Sequence, residues 1–340
     1  ANLLHNSALI AYAFEHTRSG IGVFWLPSYH DMGLIGGVLQ PLYMGRPNIL
    51  MSPMSFLQRP YRWLSAITRY SGMARGGITS GGPNFAYDLC VEKITPEQRE
   101  TLDLSKWAVA FNGAEPVRAE TLDRFVEAFE PCGFRPEAFY PCFGLAEATL
   151  IVSGGYAKQV PVVRNFEAAM LAGGQVADGQ PDDEGVRALV GCGSTLPDQQ
   201  IVIADPRRMT RSAGDEVGEI WVRGPSVAQG YWCQPEATEA TFGAFLTDSG
   251  EGPFLRTGDL GFTKDGELFV TGRLKDLIII HGLNHYPQDI ELTVQQSHPR
   301  LRADSGAVFT VRADGRQQLV VVHEIERRKQ GNLAPVFSAA

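Results

Sequence analysis

Four short constellations carry residue types that do chemistry. In the first, Leu26-Pro27-Ser28-Tyr29-His30-Asp31-Met32-Gly33-Leu34-Ile35-Gly36-Gly37, an imidazole and a carboxylate follow an apolar run and precede a glycine-rich turn. Open α/β sheets bind ligands at such strand ends. A satisfied loop histidine beside a helix cap is the plainer alternative for His30 and Asp31. In the second, Asn112-Gly113-Ala114-Glu115-Pro116, the glycine lets backbone approach a flat ligand, and main-chain groups with Asn112 can read the edge of a base. The same residues also describe an ordinary strand-to-helix turn with Pro116 near the first helical position. The third is Pro141-Cys142-Phe143-Gly144-Leu145-Ala146-Glu147-Ala148-Thr149. Here Phe143 offers a ring to stack on a base, and Glu147 a hard oxygen ligand for a cation such as Mg²⁺ beside phosphates. Cys142 reads as a small buried apolar residue rather than a nucleophile. In the fourth, Arg256-Thr257-Gly258-Asp259-Leu260-Gly261 is followed about a dozen residues later by Gly272-Arg273-Leu274-Lys275-Asp276. A carboxylate accepts two hydrogen bonds from a vicinal diol, and a guanidinium offers forked donors to hydroxyls or phosphate. Taken singly, the fourth pair is equally a hairpin ion pair of little energetic weight.

These residues need a scaffold that brings strand ends together. Up to about residue 150, apolar β-rich runs (21–26, 48–50, 108–111, 138–140) alternate with helical patterns. The runs are continuously apolar, as suits strands covered on both faces. Leu122, Phe125, Val126 and Phe129 mark one buried stripe of a helix. Alternation of this kind predicts right-handed crossovers and a largely parallel sheet. Residues 155–190 have weak periodicity and are read as an insertion or ordered loop. Short strands with turn signals follow at 200–203, 218–222 and 267–270, the last after the Asp265-Gly266 turn, which predicts a small β-rich subdomain. A final unit begins near Gly272-Arg273, with strands at 277–280, 307–311 and 319–322. Both ends of the chain fall within helix-like patterns and look cut.

Composition narrows the class. The 340 residues are 44% hydrophobic and 20% charged, the balance of a soluble globular protein of two domains. A net charge of −8 argues against a duplex nucleic-acid binder, which presents a basic face. Five scattered cysteines without a CxxC pair argue against a disulfide scaffold or zinc site and for a reducing, cytoplasmic setting. No apolar run reaches the ~18 residues of a membrane span.

In their order and spacing the four constellations resemble the adenylate-forming superfamily of acyl-CoA ligases, luciferases and peptide-synthetase adenylation domains. Residues 27–37, Gly82-Pro83-Asn84-Phe85-Ala86-Tyr87-Asp88-Leu89-Cys90 and Asn284-His285-Tyr286-Pro287-Gln288-Asp289-Ile290-Glu291 look most like fatty acyl-AMP ligases. The resemblance runs from Ala1 to about residue 330. It implies a large adenylation domain over 1–272, incomplete at its N-terminus (1–154 α/β, 155–190 insertion, 191–272 β-rich), and part of a mobile C-terminal α+β domain over 273–340. It also implies site roles. Asn112, Gly113, Ala114, Glu115 and Pro116 would wall the adenine, with Phe143 stacking on it beside Gly144, where Tyr is usual in place of Phe. Glu147 would bind Mg²⁺, Asp259 would grip the ribose diol with Arg273 beside it, and His30 would stand between acyl tunnel and nucleotide. Lys275 would mark the hinge of the C-terminal domain. Ala146 stands where many members carry a Thr for the α-phosphate, and Leu283 where a basic residue is expected.

The reaction so implied is attack of a fatty carboxylate on the α-phosphate of ATP with loss of pyrophosphate. Positioning and charge neutralisation suffice for it, and no general base is needed. The acyl group would then pass to the phosphopantetheine of an acyl carrier protein, free or fused in a polyketide or peptide synthase module. In fatty acyl-AMP ligases an insertion after the Glu147 motif braces the C-terminal domain, and residues 155–190 sit where it is expected. The alternatives are a fatty acyl-CoA ligase, separated by whether free CoA yields product, and a fragment that binds nucleotide or acyl group without turnover. An amino-acid-activating domain is disfavoured, because no carboxylate near His30 is placed to meet an α-amino group. The superfamily's phosphate loop is expected ahead of Ala1 and its carboxylate-orienting lysine beyond Ala340.

Overall fold

A computed structural model describes residues 1–181, 183, 185–280, 283–313, 316–326 and 334–339. Asp182 and Glu184 of the expected insertion, and Ala340 of the expected last helix, lie outside them. The first helix, Asn2–Ala13, leads into strand β1 (Ile21–Phe24). The parallel set continues with β2 (Asn48–Leu50), β3 (Ile78–Gly81), β4 (Trp107–Asn112) and β5 (Phe139–Gly144), and β6 (Ile151–Gly154) turns back antiparallel. A hairpin of β7 (Val163–Glu167) and β8 (Val186–Val190) follows, and β9 (Ser194–Thr195) completes a seven-stranded sheet of order β2-β1-β3-β4-β5-β6-β9. Neighbours from β2 to β5 pair in parallel, as βαβ crossovers dictate. Every residue of β1 and β3 is buried, which explains the unbroken apolar run of β1.

One face of this sheet holds an aromatic core. Trp63, Tyr87, Trp107, Phe125, Phe134 and Phe139 stack edge to face there, with ring centroids between 4.9 and 6.0 Å in successive contacts. The helices Tyr61–Tyr70, Asn84–Lys93 and Ala119–Phe129 supply Trp63, Tyr87 and Phe125, half of these rings. The Leu122, Phe125 and Phe129 stripe is buried as its spacing predicts. The helix itself starts at Ala119, so Pro116 ends the preceding turn instead of opening the helix.

Four antiparallel strands, β10 (Gln200–Ala204), β11 (Gly218–Arg223), β12 (Leu255–Lys264) and β13 (Glu267–Arg273), form the β-rich part in sequence order. Ile220, Val222, Leu255 and Leu268 share one core with Phe143, Ala148 and Val152, which welds this sheet to the end of the parallel one. The chain then makes β14 (Ile278–Ile280) with β15 (Leu283–His285), the helix Pro287–Ser297, and a long hairpin of β16 (Leu301–Ala313) and β17 (Arg316–Ile325).

Two local expectations change. Residues 155–190 are more ordered than their periodicity suggests: they contain the β7–β8 hairpin and the short helix Ala168–Ala172. The glycine-rich segment after His30 is not a turn but a π-helix over Met32–Leu39, with the Asp31 carboxylate accepting from Met32 N at 2.7 Å. A Cβ on Gly33 would lie 2.0 Å from the Pro27 carbonyl oxygen, so only glycine lets this wide helix start against the strand end.

Candidate active site

The four constellations converge on one cavity of about 720 Å³, lined by His30, Gly113–Pro116, Phe143–Glu147, Asp259, Gly272, Arg273 and Lys275. Its floor and its lid come from different parts of the chain. The ends of β1, β4 and β5 supply the base, β12 and β13 one wall, and Val308–Thr310 of β16 the opposite rim.

The 112–116 turn is held from below by Asn84. Its Oδ1 accepts from Asn112 Nδ2 at 3.2 Å and from Arg118 N at 3.1 Å, and its Nδ2 donates to the Pro116 carbonyl at 2.9 Å. Its backbone N–H donates to Glu115 Oε1 at 2.8 Å. Asn112 is fully buried and does not line the cavity, so its side chain supports the wall rather than meeting a ligand, contrary to the base-reading role expected for it. Gly113 would place a Cβ 2.8 Å from the Cys142 carbonyl, which is why backbone alone forms the wall there. Cys142 donates its thiol to the Asn112 carbonyl at 3.7 Å, and burial pushes its pKa up to about 12. It is a protonated, packed thiol and no nucleophile.

Phe143 and Gly144 border the cavity at the end of β5, and Glu147 sits in a single 3₁₀ turn, Ala146–Ala148. Two residues far along the chain fix that turn. Tyr231 Oη donates to Glu147 Oε1 at 2.7 Å, and Ala228 N donates to the Glu147 carbonyl at 2.8 Å. Glu147 Oε2 has no such tether among the described residues. A lone carboxylate oxygen suits Mg²⁺, which takes most of its ligands from phosphates and water. Among the described residues no group of three or more His, Cys, Asp or Glu is placed to cage a metal.

Asp259 lies on β12 with its carboxyl facing Arg273 of β13, whose Nε donates to Oδ1 at 2.9 Å. Burial pushes its pKa up to about 6 despite that guanidinium, which pulls the other way. The strand carrying Asp259 is propped by Glu219, 2% exposed, whose carboxylate takes Arg256 Nη2 at 2.8 Å, Trp221 Nε1 at 3.0 Å and Gly258 N at 3.1 Å. Gly258 has φ +72°, a conformation that favours glycine at this bend. No local motif marks Glu219, Asn84 or Tyr231 as a working residue; each has a partner 28 to 84 positions away, Arg256, Asn112 and Glu147 respectively.

His30 is half-exposed at the mouth, Nδ1 2.7 Å from Asp31 Oδ1. Beyond it the cavity becomes apolar, running between Ile10, Phe14, Phe24, Met32, Phe111 and Leu150.

Comparison with known proteins gives the class to which this cavity belongs. The family of AMP-binding enzymes matches residues 1–232, and the AMP domain of Disco-interacting protein 2-like proteins matches residues 275–339. The chain belongs to the AMP-binding enzyme family, and its mixed α/β architecture is the adenylate-forming fold. It is 49% identical over 335 residues to medium-chain-fatty-acid--[acyl-carrier-protein] ligase JamA of Moorena producens, covering 98% of this chain and 56% of that protein. To the corresponding ligase TtuA of Teredinibacter turnerae it is 43% identical, covering 96% and 51%. The fatty acyl-adenylate ligase of L. pneumophila, solved with acyl adenylate and pyrophosphate, superposes with a TM-score of 0.78 at 45% identity over 99% of this chain and 58% of that one. The chain thus spans about half the length of the curated relatives it matches.

Proposed function

We propose that the enzyme containing this chain activates a fatty acid to fatty acyl-AMP at the expense of ATP, and passes the acyl group to the phosphopantetheine thiol of an acyl carrier protein. The observation that carries this reading is the two-ended cavity: polar and strand-end-lined around Asp259, Glu147 and the 113–116 turn, apolar beyond His30. The names of the relatives support both the fatty acid and the carrier-protein acceptor.

In this reading the 113–116 backbone walls the adenine and Phe143 stacks on it. Ionised Asp259 accepts both ribose hydroxyls, and Arg273 holds the carboxylate in place from the side. Glu147 would hold Mg²⁺, which would neutralise phosphate charge when bound. The acid lies with its chain in the apolar end and its carboxylate near His30, facing the α-phosphorus. One carboxylate oxygen forms the new P–O bond as the bond to pyrophosphate breaks, and the proton count is unchanged. Phe143, Leu150 and the other apolar walls keep water from the mixed anhydride.

The organisation that fits this cycle is a large adenylation domain over 1–272 and a mobile unit from 273, with Lys275 at the hinge. Delivery to a carrier protein is supported by the contact between the 155–190 region and the following unit. Arg187 of β8 pairs with Asp289 at 3.0 Å and lies 5.2 Å over the Tyr286 ring, an arrangement suited to bracing one against the other. A soluble, cytoplasmic enzyme is consistent with the absence, among the described residues, of a helix long and apolar enough to cross a membrane. The test is product analysis with the full-length enzyme, ATP, Mg²⁺ and a fatty acid. Acyl-AMP that is consumed by holo carrier protein and not by free CoA is expected; acyl-CoA formation at a comparable rate would contradict the carrier-protein reading.

A further inference from the structure

The apolar end of the cavity does not end in apolar side chains. At its far end it meets His16 and Thr79. Behind them lie Arg46, 7% exposed, and Gln40, fully buried. Arg46 Nη2 donates to His16 Nε2 at 3.1 Å and Nη1 to Thr79 Oγ1 at 3.4 Å, while its buried Nε has no partner among the described residues. No carboxylate among the described residues pairs with it. A guanidinium removed from water without a counter-charge is costly, so its retention at this position calls for a reason.

The network also fixes the ring. Because Nε2 accepts from Arg46, the ring proton belongs on Nδ1, which faces the Gln40 amide at 3.4 Å. The Gln40 side-chain oxygen, otherwise without a partner, meets that proton once the amide is turned over. Burial, with the Arg46 charge, pushes the His16 pKa down to about 3, so the ring is neutral and the one charge of the cluster sits on Arg46.

The cluster is also close. Thr79 pairs with Val109 across the sheet, three residues before Asn112 at the end of β4, so it lies about 10 Å below the 112–116 turn at the usual strand rise.

We propose that His16, Thr79 and Arg46 form the polar floor of the acyl tunnel and determine which fatty acids are accepted, by stopping an alkyl chain of medium length and tolerating a hydrogen-bonding terminus at the same depth. The proposal rests on the fatty-acid reading above and adds a residue-level determinant to it. Methylenes pushed past Thr79 would have to displace hydrogen-bonded groups around a buried charge, and they would gain no apolar contact in return. A terminal hydroxyl instead meets the Thr79 hydroxyl, a polar group already held in place by Arg46 and His16.

The test uses the full-length enzyme and fatty-acid-dependent ATP–pyrophosphate exchange over a series of saturated straight-chain acids, in wild type and in His16→Ala/Arg46→Met. Wild type is expected to lose kcat/KM beyond a medium-chain optimum. In the double variant the ratio of kcat/KM for an acid two carbons longer to that for the optimum acid is expected to rise roughly tenfold, the worth of two methylenes newly buried. A second measurement needs only wild type: just past the cut-off, an ω-hydroxy acid is expected to exceed the alkyl acid of equal heavy-atom count by about tenfold, the scale of one hydrogen bond in a buried site. An unchanged length ratio in a folded double variant, or an alkyl acid preferred over its ω-hydroxy counterpart in wild type, overturns the floor while leaving fatty-acid activation intact. Absence of exchange with every acid overturns the fatty-acid reading and the floor with it.

Discussion

The two ends of the cavity are built differently. At the end proposed for the nucleotide, most of the polar lining comes in short runs at the ends of β4 and β5, 113–116 and 143–147, and as one cross-strand pair, Asp259 of β12 with Arg273 of β13. At the end proposed for the acyl chain, the lining is drawn singly from the first helix, β1, β3, β4 and the π-helix. The first end needs polar groups at fixed angles, which backbone turns provide. The second needs only volume and an ending, which any set of apolar neighbours and one polar cluster can provide. The difference predicts that substitutions at the first end act through geometry and charge, and at the second through size.

The largest effect is expected where the polar end is propped. Glu219→Leu leaves the half-buried Arg256 against Trp221 without its carboxylate and strips Trp221 Nε1 and Gly258 N of their acceptor, so unfolding free energy should fall by about 3 kcal/mol. Denaturant unfolding measures this. A loss below about 1 kcal/mol would mean that the strand carrying Asp259 holds itself.

Asp259→Asn should cost nearly as much, but in function: losing two charge-assisted hydrogen bonds raises the KM for ATP by roughly a hundredfold. The same carboxyl gives a pH dependence. Its pKa in the free protein is raised to about 6, and only the ionised form accepts both hydroxyls. Nucleotide binding is therefore full above pH 7 and falls about tenfold per unit below about 6, with binding itself pulling the pKa down. Calorimetric titration with AMP between pH 5 and 8 reads it; a flat profile removes Asp259 from the site.

Asn84→Ala withdraws two acceptor contacts and one donor from beneath the adenine wall. Nucleotide affinity is expected to weaken about tenfold while the melting temperature drops by only a few degrees, the scale of one or two buried hydrogen bonds. Equal loss of affinity for a fatty acid alone would show that the two ends are not separable. The smallest effect is expected for Tyr231→Phe, which frees Glu147 Oε1 and should alter the Mg²⁺ dependence of exchange by a few-fold without moving the fatty-acid KM.

The same contrast explains what could be read from the chain. Contiguous turns leave their residues side by side in sequence, so His30, Gly113–Pro116, Phe143–Glu147, Asp259 and Arg273 were legible, and all line the cavity. Asn112 belongs to the same string but turns inward, a matter of side-chain direction that spacing does not encode. The parallel strands β1, β2, β4 and β5 were legible as apolar runs. β3 was not, because Ile78-Thr79-Ser80-Gly81 is short, half polar and hemmed by glycines, although every residue in it is buried. Its two hydroxyls are there for partners elsewhere: Ser80 takes Trp63 Nε1 at 2.7 Å, and Thr79 meets His16 and Arg46. Glu219, Asn84, Tyr231 and the tunnel floor escaped for the same reason. Each is defined by what it touches across the fold, and no local period or motif announces that.

Incorporation of labelled pyrophosphate into ATP by the full-length enzyme tests the central claim most directly. The two-ended cavity predicts exchange that requires Mg²⁺ and a fatty acid together, is not supported by amino acids, and collapses in Asp259→Asn. Exchange driven by an amino acid, or none with any fatty acid by the folded full-length enzyme, would contradict it.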